Sequence, residues 1–529
     1  MSAWILIMNK DNQNDAISLR SWVAVLGSVI GCFMAGMNVH VTNASLPDVR
    51  GSLGATFEEG SWITTAYLVA EIIIIPVTGW LVSVFGMRKV LMTGTSGFVV
   101  FSVVCSLAPN IQTMIFARAL QGAFGGVLIP LSFQLIIGEL PSRKHALGMA
   151  LFAVANNVAQ AAGPALGGWL TDVWSWRWIF YLQVPPGLLL LAAIGWSVKP
   201  QPLSLDKLRN SDWWGMGSMA VGLSALQIML EEGGREDWFS SPFIINCTII
   251  AITGLVAFVW VELRTSHPFI NLRLLGEYNF GVASLMQFSF GAVVFGVVFL
   301  VPNYFAELQG YNARQIGMLM IPYGIVQFIM SFATPYLMRL SSPRVIIIAG
   351  FVITAVGCGM NIHLNPDASA NVIVPSLVVR GIGQSLVVVA LGVMAIQGLD
   401  KTQSGSASGL FSMVRNVGGA IGIALCSQSI VDFTRQHAQQ IGSAVTPFSP
   451  ATQQQMVDTV RLLAGHAVSY QEALYGSGTQ LLRQQALGVM NEAVQRNAEF
   501  LAYSDTFWIA SVCMLACAVT GLFLRRTFH

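Results

Sequence analysis

The chain has 529 residues, of which 54% are hydrophobic and only 10% charged, with a mean hydropathy of +0.65. Water-soluble domains carry about 25% charged residues, so this composition excludes a soluble enzyme, and apolar runs of about 20 residues with short breaks exclude disorder over most of the length. The 27 Lys and Arg against 25 Asp and Glu leave +2 at pH 7, without the basic excess that a nucleic-acid partner requires.

The opening residues Met1–Met8 are too short for a secretory core and are not followed by a small-residue cleavage site. The first apolar run therefore reads as an uncleaved span. Windows of about 19 residues predict membrane helices at 21–46, 61–84, 89–108, 111–137, 146–170, 177–197, 213–231, 242–262, 280–305, 315–338, 344–363, 372–398, 405–430 and 506–524. Fourteen is an even number, so both termini fall on one side. A cytoplasmic N-terminus puts 16 Lys and Arg on the cytoplasmic side, Lys10, Arg143, Lys401, Arg525 and Arg526 among them, against 8 on the other, and all six lysines lie on the cytoplasmic side. The positive-inside rule thus sets the orientation. All seven cysteines fall in apolar runs, which suits packing better than a disulfide frame or a metal site.

Residues 431–505 form a polar, Gln-rich segment between the last two spans, too long for a mere connector. Ser449–Pro450 reads as a helix start, followed by Met456, Val460 and Leu463 at helical spacing, and 481–501 is a second amphipathic stretch. The segment is either a surface helical hairpin without a role or a docking surface for an extracytoplasmic partner.

The chain also repeats itself. Phe152–Leu166 aligns without gaps with Phe411–Leu425, seven of fifteen positions being identical, and Arg118-Ala-Leu-Gln-Gly recurs loosely as Arg380-Gly-Ile-Gly-Gln. Both matches shift the chain by eight helices. The expected organisation is an N-terminal six-helix bundle in 1–200, a linker with two membrane helices in 201–275, and a C-terminal six-helix bundle in 276–529. Such parallel repeats place a transport site at the midplane between halves. Gly122/Gly126, Gly163/Gly167, Gly27/Gly31 and Gly418/Gly422 are small-xxx-small pairs that let helices approach closely, and Pro164 permits a kink.

These residues carry a family resemblance. Arg118 through Pro130, with Gln121, Gly122, Gly125 and Gly126, resembles the helix 4 motif of major facilitator transporters, and Gly163-Pro164-Ala-Leu-Gly167-Gly168 resembles the helix 5 antiporter motif. Trp176–Phe180 with Pro185-Pro-Gly187 is similar to the stretch that follows in the fourteen-helix drug:proton antiporter branch. Gly79 with Gly86 and Arg88-Lys89 resembles the loop 2–3 signature, and the long loop, with Thr446–Pro450 and Asp505–Trp508, resembles the EmrB type. The resemblance implies an all-α major facilitator fold and a proton-coupled exporter of hydrophobic or amphipathic compounds in a bacterial inner membrane. It also implies a periplasmic adaptor, an outer-membrane channel and no cofactor beyond the proton gradient. Gly79, Gly86, Arg88, Gly163, Pro164 and Gly167 are its motif or gating positions, although Arg88 serves equally well as a topology anchor. The sequence departs from the pattern at Asn38 in helix 1 and Ser83 in loop 2–3, where the family usually has acids.

An ionised side chain at mid-membrane costs about 2.5–3.5 kcal/mol, so each one retained needs a reason. Glu71 is the one acid deep within a predicted span, about 15 Å from its outer end at 1.5 Å per residue. Asn38, His40 and Arg118 reach depths of about 9–12 Å by the same rise. Glu71 is therefore the candidate proton carrier, with His40 as rival and Arg118 as the charge that competes with burial for its protonation state. A static Glu71–Arg118 or Glu71–His40 pair is the structural alternative. Asn38, Gln121, Asn157, Gln287, Arg380, Gln384 and Asn416 are candidate cavity polar groups, each of which serves equally well as an interhelical hydrogen-bonding group, and Arg415 is expected to snorkel. No P-loop and no His-Glu-x-x-His occurs. Besides multidrug export, a dedicated exporter of one metabolite such as a fatty acid, siderophore or antibiotic, and a non-transporting receptor or scaffold, remain as readings.

Overall fold

The computed structural model describes residues 18–141, 144–209, 211–265, 268–362, 370–396, 404–445, 449–465 and 478–524. Met1–Met8, Lys10, Arg143, Lys401, Arg525, Arg526 and the 446–448 part of the loop motif lie outside them. Among the described residues there are helices and connections but no strand.

In chain order the helices are α1 (Leu19–Ser52), α2 (Phe57–Phe85), α3 (Met87–Ser106), α4 (Ile111–Gly125) continued by α5 (Leu128–Glu139), α6 (His145–Val173), and the short α7 (Trp178–Tyr181) continued by α8 (Val184–Ser197). Then come α9 (Leu205–Arg209), α10 (Trp213–Glu232) and α11 (Pro242–Arg264), followed by α12 (Tyr278–Asn303), α13 (Ala313–Leu340), α14 (Pro343–Gly359), α15 (Ala370–Ile396), α16 (Ser404–Ala444), α17 (Pro450–Gly465) and α18 (Gly478–Thr520). Among the described residues eleven spans are long and apolar enough to cross a bilayer, and α6 makes twelve when its two bent halves count as one. The remaining predicted spans correspond to α10 and the 17-residue α14, which is consistent with fourteen crossings.

The bend in α6 measures 40° and falls between Gln160 and Ala162. Pro164 lies one turn further on; having no N–H, it cannot donate to the Gln160 carbonyl, which is how a proline opens a helix at that point. The glycine pairs let the helices meet backbone to backbone. A Cβ on Gly163 or Gly167 would run into His40 or Val41 of α1, and one on Gly418 or Gly422 into Phe288 or Ala292 of α12. So α6 packs on α1 as its repeat mate α16 packs on α12, and the sequence repeat is also a repeat of contacts.

One apolar core joins α1 to α8 through residues such as Met34, Phe98, Leu128 and Leu190. Another joins α12 to α18 through Phe290, Phe351, Val387 and Phe507 and takes in Met219 of α10 and Phe258 of α11. Helix α10 runs antiparallel along α2. At one end Trp80 Nε1 donates to Ser211 Oγ at 2.7 Å and meets Trp213 edge-on; at the other, Ser61 and Thr65 donate to Glu232 Oε1 at 3.2 and 3.1 Å.

Within 431–505 the expected helix start is present as α17, which begins at Pro450, and the 481–501 stretch lies on α18, while the spans on either side run further than expected. Hydropathy marks where apolarity ends, whereas the helices continue: α16 has 41 residues and α18 has 43, about 60–65 Å each at 1.5 Å per residue, or roughly twice the hydrocarbon thickness. Both therefore project as a helical hairpin, joined at its flank by α17, with Leu482, Ala486 and Met490 buried at four-residue spacing on α18.

Replacing Gly122 tests the backbone contacts, because a Cβ there would fall on the Tyr67 carbonyl of α2. Gly122→Val is expected to lower the melting temperature in detergent by several degrees, in line with about 1–3 kcal/mol for overpacking. Gly138→Ala, with nothing within 4 Å, should leave it unchanged.

Candidate functional site

A cavity of about 560 Å³ lies between the two groups of helices. Its walls come from α1 (His40, Asn43), α2 (Thr64, Leu68, Glu71), α6 (Asn156, Gln160, Pro164), α10 (Gln227, Glu231), α12 (Phe295, Phe299), α13 (Met320, Tyr323) and α16 (Arg415, Asn416). On α1 and α12 these residues sit toward the C-terminal end, and on α2 and α13 toward the N-terminal end. The cavity therefore occupies the half of the bundle nearer the long hairpin. The opposite end is closed: a Cβ at Gly79 of α2 would sit 2.8 Å from the Gly405 backbone of α16, and Phe133 of α5 stacks on Phe411 of α16 with centroids 6.1 Å apart.

Arg118 is fully buried on α4. Its Nη1 donates to Asn38 Oδ1 at 2.5 Å and to Gln121 Oε1 at 2.6 Å, and its Nε donates to the Ile63 carbonyl at 3.1 Å. The guanidinium carbon lies 4.3 Å from the Tyr67 ring centroid. Gln121 is in turn fixed by Ser102, whose Oγ accepts from Nε2 at 2.6 Å. One cation thus ties α1, α2, α3 and α4 together through neutral acceptors.

Glu71 is 6% exposed and faces the cavity, and among the described residues it has no hydrogen bond or ion pair. Arg118 and Arg415 are both within Coulombic reach of it. The structure thus brings Glu71 and His40 to one cavity. It does not pair Glu71 with Arg118: Nη1 of Arg118 is taken by Asn38 and Gln121, and its buried Nη2 has no hydrogen-bond partner among the described residues. For the same reason Asn38 and Gln121 stand behind the cavity wall rather than on it.

The other sequence candidates divide similarly. Asn416 lines the cavity, and Asn157 and Gln384 line a small recess beside it together with Arg415. Gln384 Oε1 accepts from the Tyr323 hydroxyl and from Gln327 Nε2. Gln287 and Arg380 are buried in the second bundle away from the cavity; Arg380 donates from Nε to the Ser376 carbonyl at 3.4 Å and lies over Phe507. Gly163 and Gly167 face α1, while Pro164 faces the cavity. Gly86 has φ +85°, a left-handed conformation that favours glycine, as the chain turns from α2 into α3, and Arg88 is half-buried in the first turn of α3.

Arg415 does not snorkel. It is 5% exposed and forms part of the cavity wall, as does Asn156, which occupies the same place in the repeat. That alignment was a usable signal: the two copies of one helix present equivalent faces to one cavity. Glu231 and Gln227 carried no such signal, because Glu231 is the last residue of its predicted span, where an acid has an ordinary place. In the structure Gln227 Nε2 donates to Glu231 Oε1 at 3.1 Å and both line the cavity.

Removing the Asn38 acceptor tests this arrangement. Asn38→Ala is expected to destabilise the protein by about 1.5–3 kcal/mol, the range for a hydrogen bond to a charged group, read as a lower melting temperature. Asn38→Asp keeps the acceptor and adds a counter-charge, and should retain the wild-type value.

The family model described as Major Facilitator Superfamily matches residues 28–423. The colistin resistance protein EmrB of Acinetobacter baumannii is 27% identical over 506 residues, covering 96% of each chain. The multidrug export protein EmrB of Haemophilus influenzae is 30% identical over 429 residues, 80% of this chain and 83% of its own length. The fatty acid resistance protein FarB of Neisseria gonorrhoeae is 28% identical over 514 residues, 96% and 97% of the two chains. Among solved structures, the human organic anion transporter MFSD10 superposes with a TM-score of 0.56 at 14% identity, covering 93% of this chain and 99% of its own, a likeness of fold.

Proposed function

The chain belongs to the Major Facilitator Superfamily and is a multi-pass membrane transporter, not an enzyme; on that premise we propose that it is a proton-coupled antiporter that exports hydrophobic or amphipathic compounds across the bacterial inner membrane. Its termini are then cytoplasmic, and the α16–α18 hairpin stands in the periplasm, where it would meet the adaptor of a tripartite system with an outer-membrane channel.

The observation that carries this reading is Glu71. It is a buried, unpaired acid on the wall of the cavity between the bundles, with Arg118 of its own bundle and Arg415 of the opposite bundle in Coulombic reach. Burial favours the neutral carboxyl and the two guanidiniums favour the carboxylate. Arg118 is fixed relative to Glu71 by its hydrogen bonds, whereas the distance to Arg415 changes when the bundles rock. Proton release from Glu71 is thereby tied to which side is open, and each proton moved down 100 mV supplies about 2.3 kcal/mol. His40 is the second titratable group on the wall and serves as a relay or a spectator. The bundles in 1–200 and 276–529 are the moving parts, hinged at the Gly163–Gly167 segment and shut at Gly79–Gly405, with 201–275 as the linker.

A dedicated exporter of one metabolite is the second reading. It is favoured by the likeness over nearly the full length to a protein named for fatty acid resistance. A broad loss of tolerance on deletion supports multidrug export, and a loss confined to one compound supports the dedicated exporter.

Glu71→Gln is the direct test of coupling. In inverted vesicles energised to an acidic interior, substrate-induced proton efflux is expected to fall to background for the variant, while His40→Gln retains a measurable fraction. Unchanged efflux in Glu71→Gln would remove Glu71 as carrier.

A further inference from the structure

Helix α10 lies outside both repeats, yet it forms part of the cavity wall through Gln227 and Glu231. It is held there from both sides. Ser61 and Thr65 of α2 donate to Glu232, and just beyond its end Trp238 Nε1 donates at 2.5 Å to Gln428 Oε1 of α16. The helix therefore spans the slit between α2 and α16 on the hairpin side, and the Glu231 carboxylate enters the cavity through that slit.

The depth of Glu231 follows from its neighbour. Glu232 is level with Ser61 and Thr65, which precede Glu71 by ten and six residues, or about 9–15 Å along the helix axis. The cavity thus has an acid at each of two depths. The inner acid, Glu71, is answered by Arg415, the one Lys or Arg among the described lining residues. The outer acid accepts from the neutral Gln227 amide and has a second acid, Glu232, beside it, and the one base in Coulombic reach of Glu231, Arg235, donates to Glu232 Oε2 at 2.8 Å. One negative charge is left over at the outer station, beside walls that include Phe295, Phe299 and Met320.

We propose that Glu231 is a cation subsite supplied to the transport cavity by the inserted helix pair, taking the positive centre of an amphipathic substrate whose apolar body lies against the aromatic wall. This rests on the exporter reading above and narrows its substrate class to lipophilic cations. A carboxylate facing a cation in a partly desolvated cavity is a strong contact, and phenyl faces add to it. The subsite discriminates by charge, since a neutral compound of the same shape gains nothing from Glu231 and an anion is repelled.

Tetraphenylphosphonium and tetraphenylborate, matched in size and opposite in charge, are suitable probes. Binding to purified protein in nanodiscs at pH 8 is expected to favour the phosphonium for the wild type. Glu231→Gln should weaken phosphonium binding by about tenfold, the low end for losing a charged partner, with borate binding unchanged or tighter. Glu231→Lys should reverse the preference. Equal loss for both probes, or no change for either in Glu231→Gln, would overturn the proposal, as would a wild type that prefers borate. Substrate-induced proton release with a neutral compound, measured on the same preparations, separates the two readings. If release persists in wild type and Glu231→Gln while the charge preference fails, the subsite is wrong and the exporter stands; absence of release in the wild type counts against the exporter itself.

Discussion

The structure depends on how one guanidinium is kept in a bilayer. Arg118 is fully buried, and its charge is met by the oxygens of Asn38, Gln121 and Ile63 and by the face of Tyr67 rather than by a carboxylate. Removing a partner from such a group leaves an uncompensated charge, which is among the costlier changes a membrane helix can suffer. The arrangement therefore fixes α1, α2, α3 and α4 as one unit. Its second consequence is chemical: Arg118 is held by neutral groups through Nη1 and Nε, its buried Nη2 has no partner among the described residues, and the deep acid of α2, Glu71, has no fixed ion pair.

Around that fixed unit the backbone contacts are those a rocking transporter needs. Glycines bring α6 onto α1 and α16 onto α12 without side chains between them, and the proline bend in α6 lies against the cavity. The cavity is sealed at one end by a glycine contact between α2 and α16, helices of opposite bundles. Helix α10 follows α2 along its length and also touches α16, to which it is tied just beyond its end by the Trp238–Gln428 hydrogen bond. The inserted pair therefore borders the same helix that carries Glu71.

Much of this was legible in the sequence because a bilayer restricts what a chain can do. Span positions, the repeat and the isolation of Glu71 follow from hydropathy and self-comparison. Direction around a helix does not follow from depth. Asn38 and His40 lie at similar depth but are two residues apart, about 200° around the helix at 3.6 residues per turn, so one meets Arg118 and the other the cavity. Arg415 near a predicted helix end looked like a snorkelling residue, yet it is enclosed by the opposite bundle, which no local pattern reports. The helical character of 450–465 and 481–501 is legible in the sequence, but the continuation of α16 and α18 beyond the bilayer is not, because polarity rises before the helices end. Glu231 escaped notice because its position at a span boundary gives an acid an ordinary place, and only the packing of α10 across the slit turns it inward.

As the proposed proton carrier, Glu71 changes protonation state when substrate binds, and infrared difference spectroscopy of the purified protein observes this without any transport assay. The expected result is a protonated-carboxyl band that changes on adding substrate, is present in His40→Gln and Glu231→Gln, and is absent in Glu71→Gln. A carboxyl band that survives in Glu71→Gln, or a wild-type spectrum without any carboxyl change, would contradict it.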